Sequence, residues 1–177
     1  MYALTAAACV LLALPLRAQA DDTIPSSASS WALGGTVMMP RATGGANLAL
    51  LGIGLSAGTL RPNIIGGDLA FVVSPTALAF GALIGGVRAN LALPVAVGGS
   101  TLLVPSAGVS LLGGAASGGF GGVAGVNGTM AVIFFSRPLA EPGPSLGLRI
   151  AVASHRFGQD GDASVRMLEV GFVKRAQ

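Results

Sequence analysis

Between Leu83 and Leu112 the side chains alternate with a period of two, the repeat of a β-strand, in which successive residues point to opposite faces. Leu83, Val87, Leu91, Leu93, Val95 and Val97 share one parity, and Gly86, Arg88, Asn90, Ala92, Ala96 and Gly98 share the other. After Gly98-Gly99-Ser100 the alternation resumes, with Thr101, Leu103, Pro105, Ala107, Val109 and Leu111 opposed to Ser100, Leu102, Val104, Ser106, Gly108 and Ser110. Two strands joined by a glycine turn make a hairpin. Its bulky face carries no charge over either strand. A soluble barrel would put charge outside and bulk inside, so this face is expected to meet lipid.

Composition supports that solvent. Charged residues make up 10% of the chain and mean hydropathy is +0.75, whereas soluble domains carry about 25% charge. In lipid every backbone polar group must be paired internally, which leaves helices or a closed barrel. Ile64 to Val87 and Leu91 to Leu112 are long enough for helices, but both hold glycine pairs and a proline, and Asp68 sits inside the first. The persistent period of two, where a helix would show 3.6, favours the barrel.

The start of the chain reads as a secretory signal. An apolar run from Ala3 to Leu16 precedes Arg17-Ala18-Gln19-Ala20 and then Asp21-Asp22, an A-x-A pattern that places cleavage after Ala20. The alternative, an uncleaved anchor, needs ~20 apolar residues, and this run is shorter. Removing residues 1–20 from 177 leaves a domain of 157 residues, 21–177, with a short lead over 21–30. Cys9 leaves with the signal, so neither a disulfide nor a cysteine metal site is expected. Without Arg17, nine basic and seven acidic groups remain, a balance that argues against a nucleic-acid partner.

Eight segments read as strands: 31–39, 47–60, 65–73, 83–97, 101–111, 120–135, 145–156 and 164–174. Most are nine to fifteen residues long, and a tilted membrane strand needs ~9 to 11. The expected fold is an all-β, eight-stranded antiparallel up-and-down transmembrane barrel with both termini in the periplasm. Going up and down through it, Trp31, Phe134, Phe135 and Phe172 fall at periplasmic ends, and Phe71, Phe80, Phe120 and Phe157 at outer ends, as two aromatic girdles would. Gly113 to Gly119 reads as a flexible outer loop, and the loops are short and nearly uncharged. Pro94 and Pro105 interrupt two strands, and Asn127-Gly128 is a hairpin signal inside a third.

The leader, the alternating strands, the short turns and the size resemble the small eight-stranded outer-membrane β-barrels of the OmpA and OmpX type, over the whole mature chain. The resemblance implies a fold and a compartment, the bacterial outer membrane, with outer-membrane lipid and the barrel-assembly machinery as partners, and transfers no functional residue. The last strand, Val165 to Val173, is similar to the closing strand that such machinery recognises, but it runs on into Lys174-Arg175-Ala176-Gln177 without a terminal aromatic.

Parity puts Asp68, Arg88, Asn90, Asn127, Thr129, Arg149, His155 and Glu169 on the inner face. Centring one outer loop on residue 78 sets Asp68 opposite Arg88, and centring another on Gln159 sets Arg149 opposite Glu169. Ions inside a barrel must be paired, since an unpaired one costs several kcal/mol. The polar set reads as a plug that holds the barrel closed or as a gate on a narrow path for small solutes. His155 is expected at the rim. Ser154 and His155 point to opposite faces, and neither a G-x-S-x-G elbow nor a second histidine is present, so no enzyme, cofactor or metal is expected. The other readings are a barrel that passes an apolar ligand through a lateral opening and a lipid-modifying enzyme built on His155.

Overall fold

The structure is a computed structural model, which describes residues 29–42, 49–157 and 163–176. The expected signal peptide and most of the lead lie outside the described residues. Nine β segments are present: β1 (Ser29–Ala42), β2 (Leu50–Thr59), β3 (Gly66–Ser74), β4 (Ala82–Ala92), β5 (Val95–Gly98), β6 (Thr101–Ala116), β7 (Gly119–Phe135), β8 (Ser145–Phe157) and β9 (Ala163–Arg175). β4 and β5 are two halves of one barrel strand, because both pair with β6. The ladder runs antiparallel through neighbours and returns through β9 to β1. This is a closed eight-stranded barrel. Closure through β1 and β9 leaves no open edge except beside β5, whose one strand partner is β6, so nearly all of the ring is paired, as lipid demands.

The period of two sorts the side chains. On β8, Leu146, Leu148, Ile150 and Val152 alternate outward with Gly147, Ala151 and Ala153 inward. Leu51, Ile53 and Leu55 on β2, Leu91 on β4, Val109 and Leu111 on β6 and Phe172 on β9 are likewise outward and exposed. An apolar outer surface and a mixed, packed interior are the reverse of a soluble barrel.

Several expectations are corrected. Pro105 does not interrupt its strand but stays in register inside β6 opposite Met130, whereas Pro94 does, in the gap between β4 and β5, where its carbonyl accepts the Asn63 N–H at 2.7 Å and the Pro105 carbonyl accepts the Leu93 N–H at 3.0 Å. The break costs little ladder because the freed groups find other partners. Asn127-Gly128 is not a turn: both residues stay in register inside β7, opposite Gly108 and Ala107. Nor is Gly113 to Gly119 a loop, because β6 and β7 pair to their ends, Ala116 opposite Gly119, with Ser117 and Gly118 as the turn. Small residues keep both faces open, so nothing stops the ladder from continuing.

The register between β3 and β4 also differs. A short 3-10 helix over Pro75–Phe80 ends on Gly81 in the left-handed region (φ 70°), a conformation that glycine adopts without penalty. The connection is therefore centred later than residue 78. Asp68 faces Asn90 and Arg88 faces Ala70. The same shift of two occurs between β8 and β9, where Arg149 faces Gly171 and Ala151 faces Glu169. A slip of two preserves parity, so every side chain keeps its face while its opposite number changes.

Candidate functional site in the barrel lumen

In a ring of eight strands, those four apart stand across the diameter. β4 and β9 are so related. Arg88 on β4 and Glu169 on β9 point inward and meet in the lumen, Arg88 donating through both Nη1 and Nη2 to the two carboxylate oxygens of Glu169, the second bond at 2.8 Å. Arg149, on the neighbouring strand β8, donates Nη1 to Glu169 Oε2 at 2.5 Å. The side chains of Arg88, Glu169 and Arg149 are only 7%, 13% and 13% exposed. Glu169 thus serves two guanidiniums and ties three strands together. Asp68 does not pair with Arg88; its Oδ2 accepts a long bond of 3.4 Å from Asn90 Nδ2.

Apolar layers lie on either side of this belt. Toward the end holding the β1–β2 and β8–β9 connections, Met38, Leu50, Ala153, Phe157, Val165 and Met167 pack together. Toward the termini, Leu102, Val104, Ile133, Phe135, Leu139 and Val173 form the other layer. Phe135 and Phe157, expected in the girdles, turn inward instead because the parity of β7 and β8 assigns them to the lumen. Phe135 lies under the Arg175 guanidinium, 5.3 Å from its carbon to the ring centroid. Arg175 also donates to the carbonyls of Leu139 and Glu141 at 3.1 Å. The β7–β8 loop is further held by Leu139 N–H to the Gly99 carbonyl at 2.6 Å. That loop closes the mouth on the side of the termini.

His155 is not at a rim. It is 3% exposed, inside the lumen, its ring stacked on Phe157 with centroids 6.0 Å apart. Sequence position near a strand end suggested the rim, but β8 and β9 continue past it and Phe157 covers it. Ser154 faces outward, so no Ser-His pair forms. Asn127, Thr129 and Ser110 are buried at 6%, 6% and 4%. Among the described residues these three side chains and both His155 ring nitrogens have no hydrogen-bond partner. A cavity of about 40 Å³ beside the triad is lined by Gly34, Gly54, Ala70, Gly86, Ser110 and His155, room for about three waters. A second, of about 30 Å³, is lined by Ser30, Gly58, Asp68 and Ser106 and shares Ala32, Ser56 and Arg149 with the first. No group of three or more metal-ligating side chains occurs among the described residues.

By sequence, no family model and no curated protein matches the chain. By structure it is similar to Ail, the attachment invasion locus protein of Yersinia pestis, with a TM-score of 0.61, 11% identity, and 85% of this chain and 99% of that one covered. Neisserial surface protein A is similar too, with a TM-score of 0.62, 14% identity and coverage of 84% and 96%. The chain has the fold of the small eight-stranded outer-membrane barrels. Ail in complex with the heparin analogue sucrose octasulfate gives the same picture, with a TM-score of 0.60, 13% identity and coverage of 85% and 99%. At these identities the likeness concerns the barrel and carries over no residue of the lumen.

Proposed function

We propose that this chain is a small, non-enzymatic protein of the bacterial outer membrane whose barrel is a closed structural element. The observation that carries the reading is the lumen: a three-residue ionic belt across the diameter, sealed by an apolar layer on each side. An eight-stranded barrel is just filled by its side chains, and cavities of this size admit water and no larger solute. Closure of the ring, with its one unpaired stretch beside the short β5, argues against a lateral opening for an apolar ligand, and the divergence of Ser154 from His155 argues against a hydrolase. An even strand count puts both termini on the periplasmic side, where the assembly machinery would engage β9.

A second reading, a gated passage for small solutes, has one observation in its favour: Arg149 lines both cavities and so stands between them. Planar-bilayer recording separates the two. The closed reading expects no stepwise conductance from the wild-type protein or from Arg149→Ala, whereas openings in the variant alone would favour the gate. Stepwise wild-type conductance would overturn the closed reading outright. Compartment is checked independently by membrane fractionation with heat-modifiable gel migration, since only a folded barrel shifts on boiling.

A further inference from the structure

The outward faces of the strands carry four charges among the described residues: Arg41, Arg156, Arg166 and Lys174. All are cations, and all lie on three neighbouring strands, β1, β9 and β8. The outward faces of β2, β3, β4, β5, β6 and β7 carry none. Register brings three of the four together. Arg41 and Arg156 both stand level with Ser164 on the strand between them, and Arg166 follows two residues along that strand. With strands ~4.8 Å apart, the outer two arginines are about 10 Å apart, with the third about 7 Å below. All three are exposed, and no carboxylate shares their face among the described residues; Asp160 and Asp162 belong to the connection outside them.

Their height is set by the other end of the same strands. Trp31 stands level with Lys174, and Leu33, Leu148 and Phe172 form the next outward row. From Trp31 to Arg41 the strand covers about 33 Å, which at a tilt of ~40° is about 25 Å across the membrane, the height of the apolar band of such barrels. Arg41 and Arg156 therefore stand at the far edge of the band, level with headgroups and turned sideways into the leaflet, with Arg166 one step below them. A ligand there needs acyl chains below and anionic charge at headgroup height. Arginine forks match phosphate oxygens in pairs, and three cations with no carboxylate on their face among the described residues exceed what one zwitterionic headgroup neutralises.

We infer that Arg41, Arg166 and Arg156 form a lateral binding site for a multiply phosphorylated lipid of the outer leaflet. The inference rests on the outer-membrane reading, with the termini in the periplasm. Folded full-length protein is examined by native mass spectrometry after titration with bisphosphorylated lipid A and with its enzymatically dephosphorylated form. At roughly fivefold per surface arginine, Arg41→Ser/Arg156→Ser/Arg166→Ser should bind the bisphosphorylated lipid about 100-fold more weakly than wild type. Lys174→Ser, at the opposite edge, should bind as wild type. Where the triple variant fails to show heat-modifiable migration, each single serine variant should still lose about fivefold. Equal retention of both lipid forms, or variants within twofold of wild type, overturns the inference. So does displacement of lipid A by a soluble heparin fragment, which would make this a glycan-binding face. Failure of wild-type protein to insert into pure phosphatidylcholine vesicles would instead sink the membrane reading; insertion without phosphate-dependent retention sinks the site alone.

Discussion

Replacing Glu169 by glutamine keeps the shape of the belt and removes the one negative charge that Arg88 and Arg149 share. Two guanidiniums are then left in the lumen with no counter-ion in contact. Leaving a buried ion without its partner costs ~3 to 5 kcal/mol, and the low exposure of Arg88 and Glu169, 7% and 13%, places this belt in that regime. Arg88→Met breaks a bidentate contact but leaves Glu169 bonded to Arg149. Arg149→Met breaks a single charge-assisted bond, ~1.5 to 3 kcal/mol, and leaves the bidentate pair. The expected order of loss is therefore Glu169→Gln, then Arg88→Met, then Arg149→Met. Replacing all three by methionine should recover most of the loss, because no stranded charge remains. Trp31, the only tryptophan, is 47% exposed on the outward face and reports unfolding through its emission. Urea titrations in lipid vesicles would give the midpoints at unchanged m. A Glu169→Gln loss below ~1 kcal/mol, or additivity of the Arg88 and Glu169 losses within ~0.5 kcal/mol, would refute a buried belt and return these groups to a hydrated rim.

Other perturbations address placement and packing. Val152→Arg, at mid-height on the outward face of β8, should cost ~2 to 4 kcal/mol, while Ser154→Arg, beside the arginine edge, should cost ~0 to 1 kcal/mol; equal urea midpoints would misplace the apolar band. Gly171→Val should lower stability by ~1 to 3 kcal/mol, since a Cβ there lies 2.5 Å from the Leu33 carbonyl oxygen and 2.6 Å from the Gly34 Cα; an unchanged midpoint would show that β1 and β9 can part at no cost. Ser117→Cys, at the β6–β7 turn, should react with an impermeant maleimide on intact cells and Gly99→Cys should not; the reverse pattern would invert the barrel. Edman sequencing of the envelope protein should begin at Asp21, and a start at Met1 would count against a cleaved signal.

What the sequence determined by itself is the face of each side chain. The period of two assigns Arg88, Asn90, Arg149, His155 and Glu169 inward, and in the structure they are inward, because parity is a local property that survives any register shift of two. The barrel class follows from the same source, since an uncharged bulky face has to meet lipid. Sequence reasoning could pair a strand only with its neighbour across a turn, so it set Asp68 against Arg88. Closure decided otherwise: with eight strands, β4 comes to stand opposite β9, and Arg88 reaches a carboxylate 81 residues away. The depth of His155 and the inward turn of Phe135 and Phe157 were decided in the same way, by how far strands run past them and what fills the lumen above and below. Which residues share a face is written in the spacing along one strand. Which residues meet depends on how many strands close the ring and how they are staggered, and no single stretch of chain contains that information.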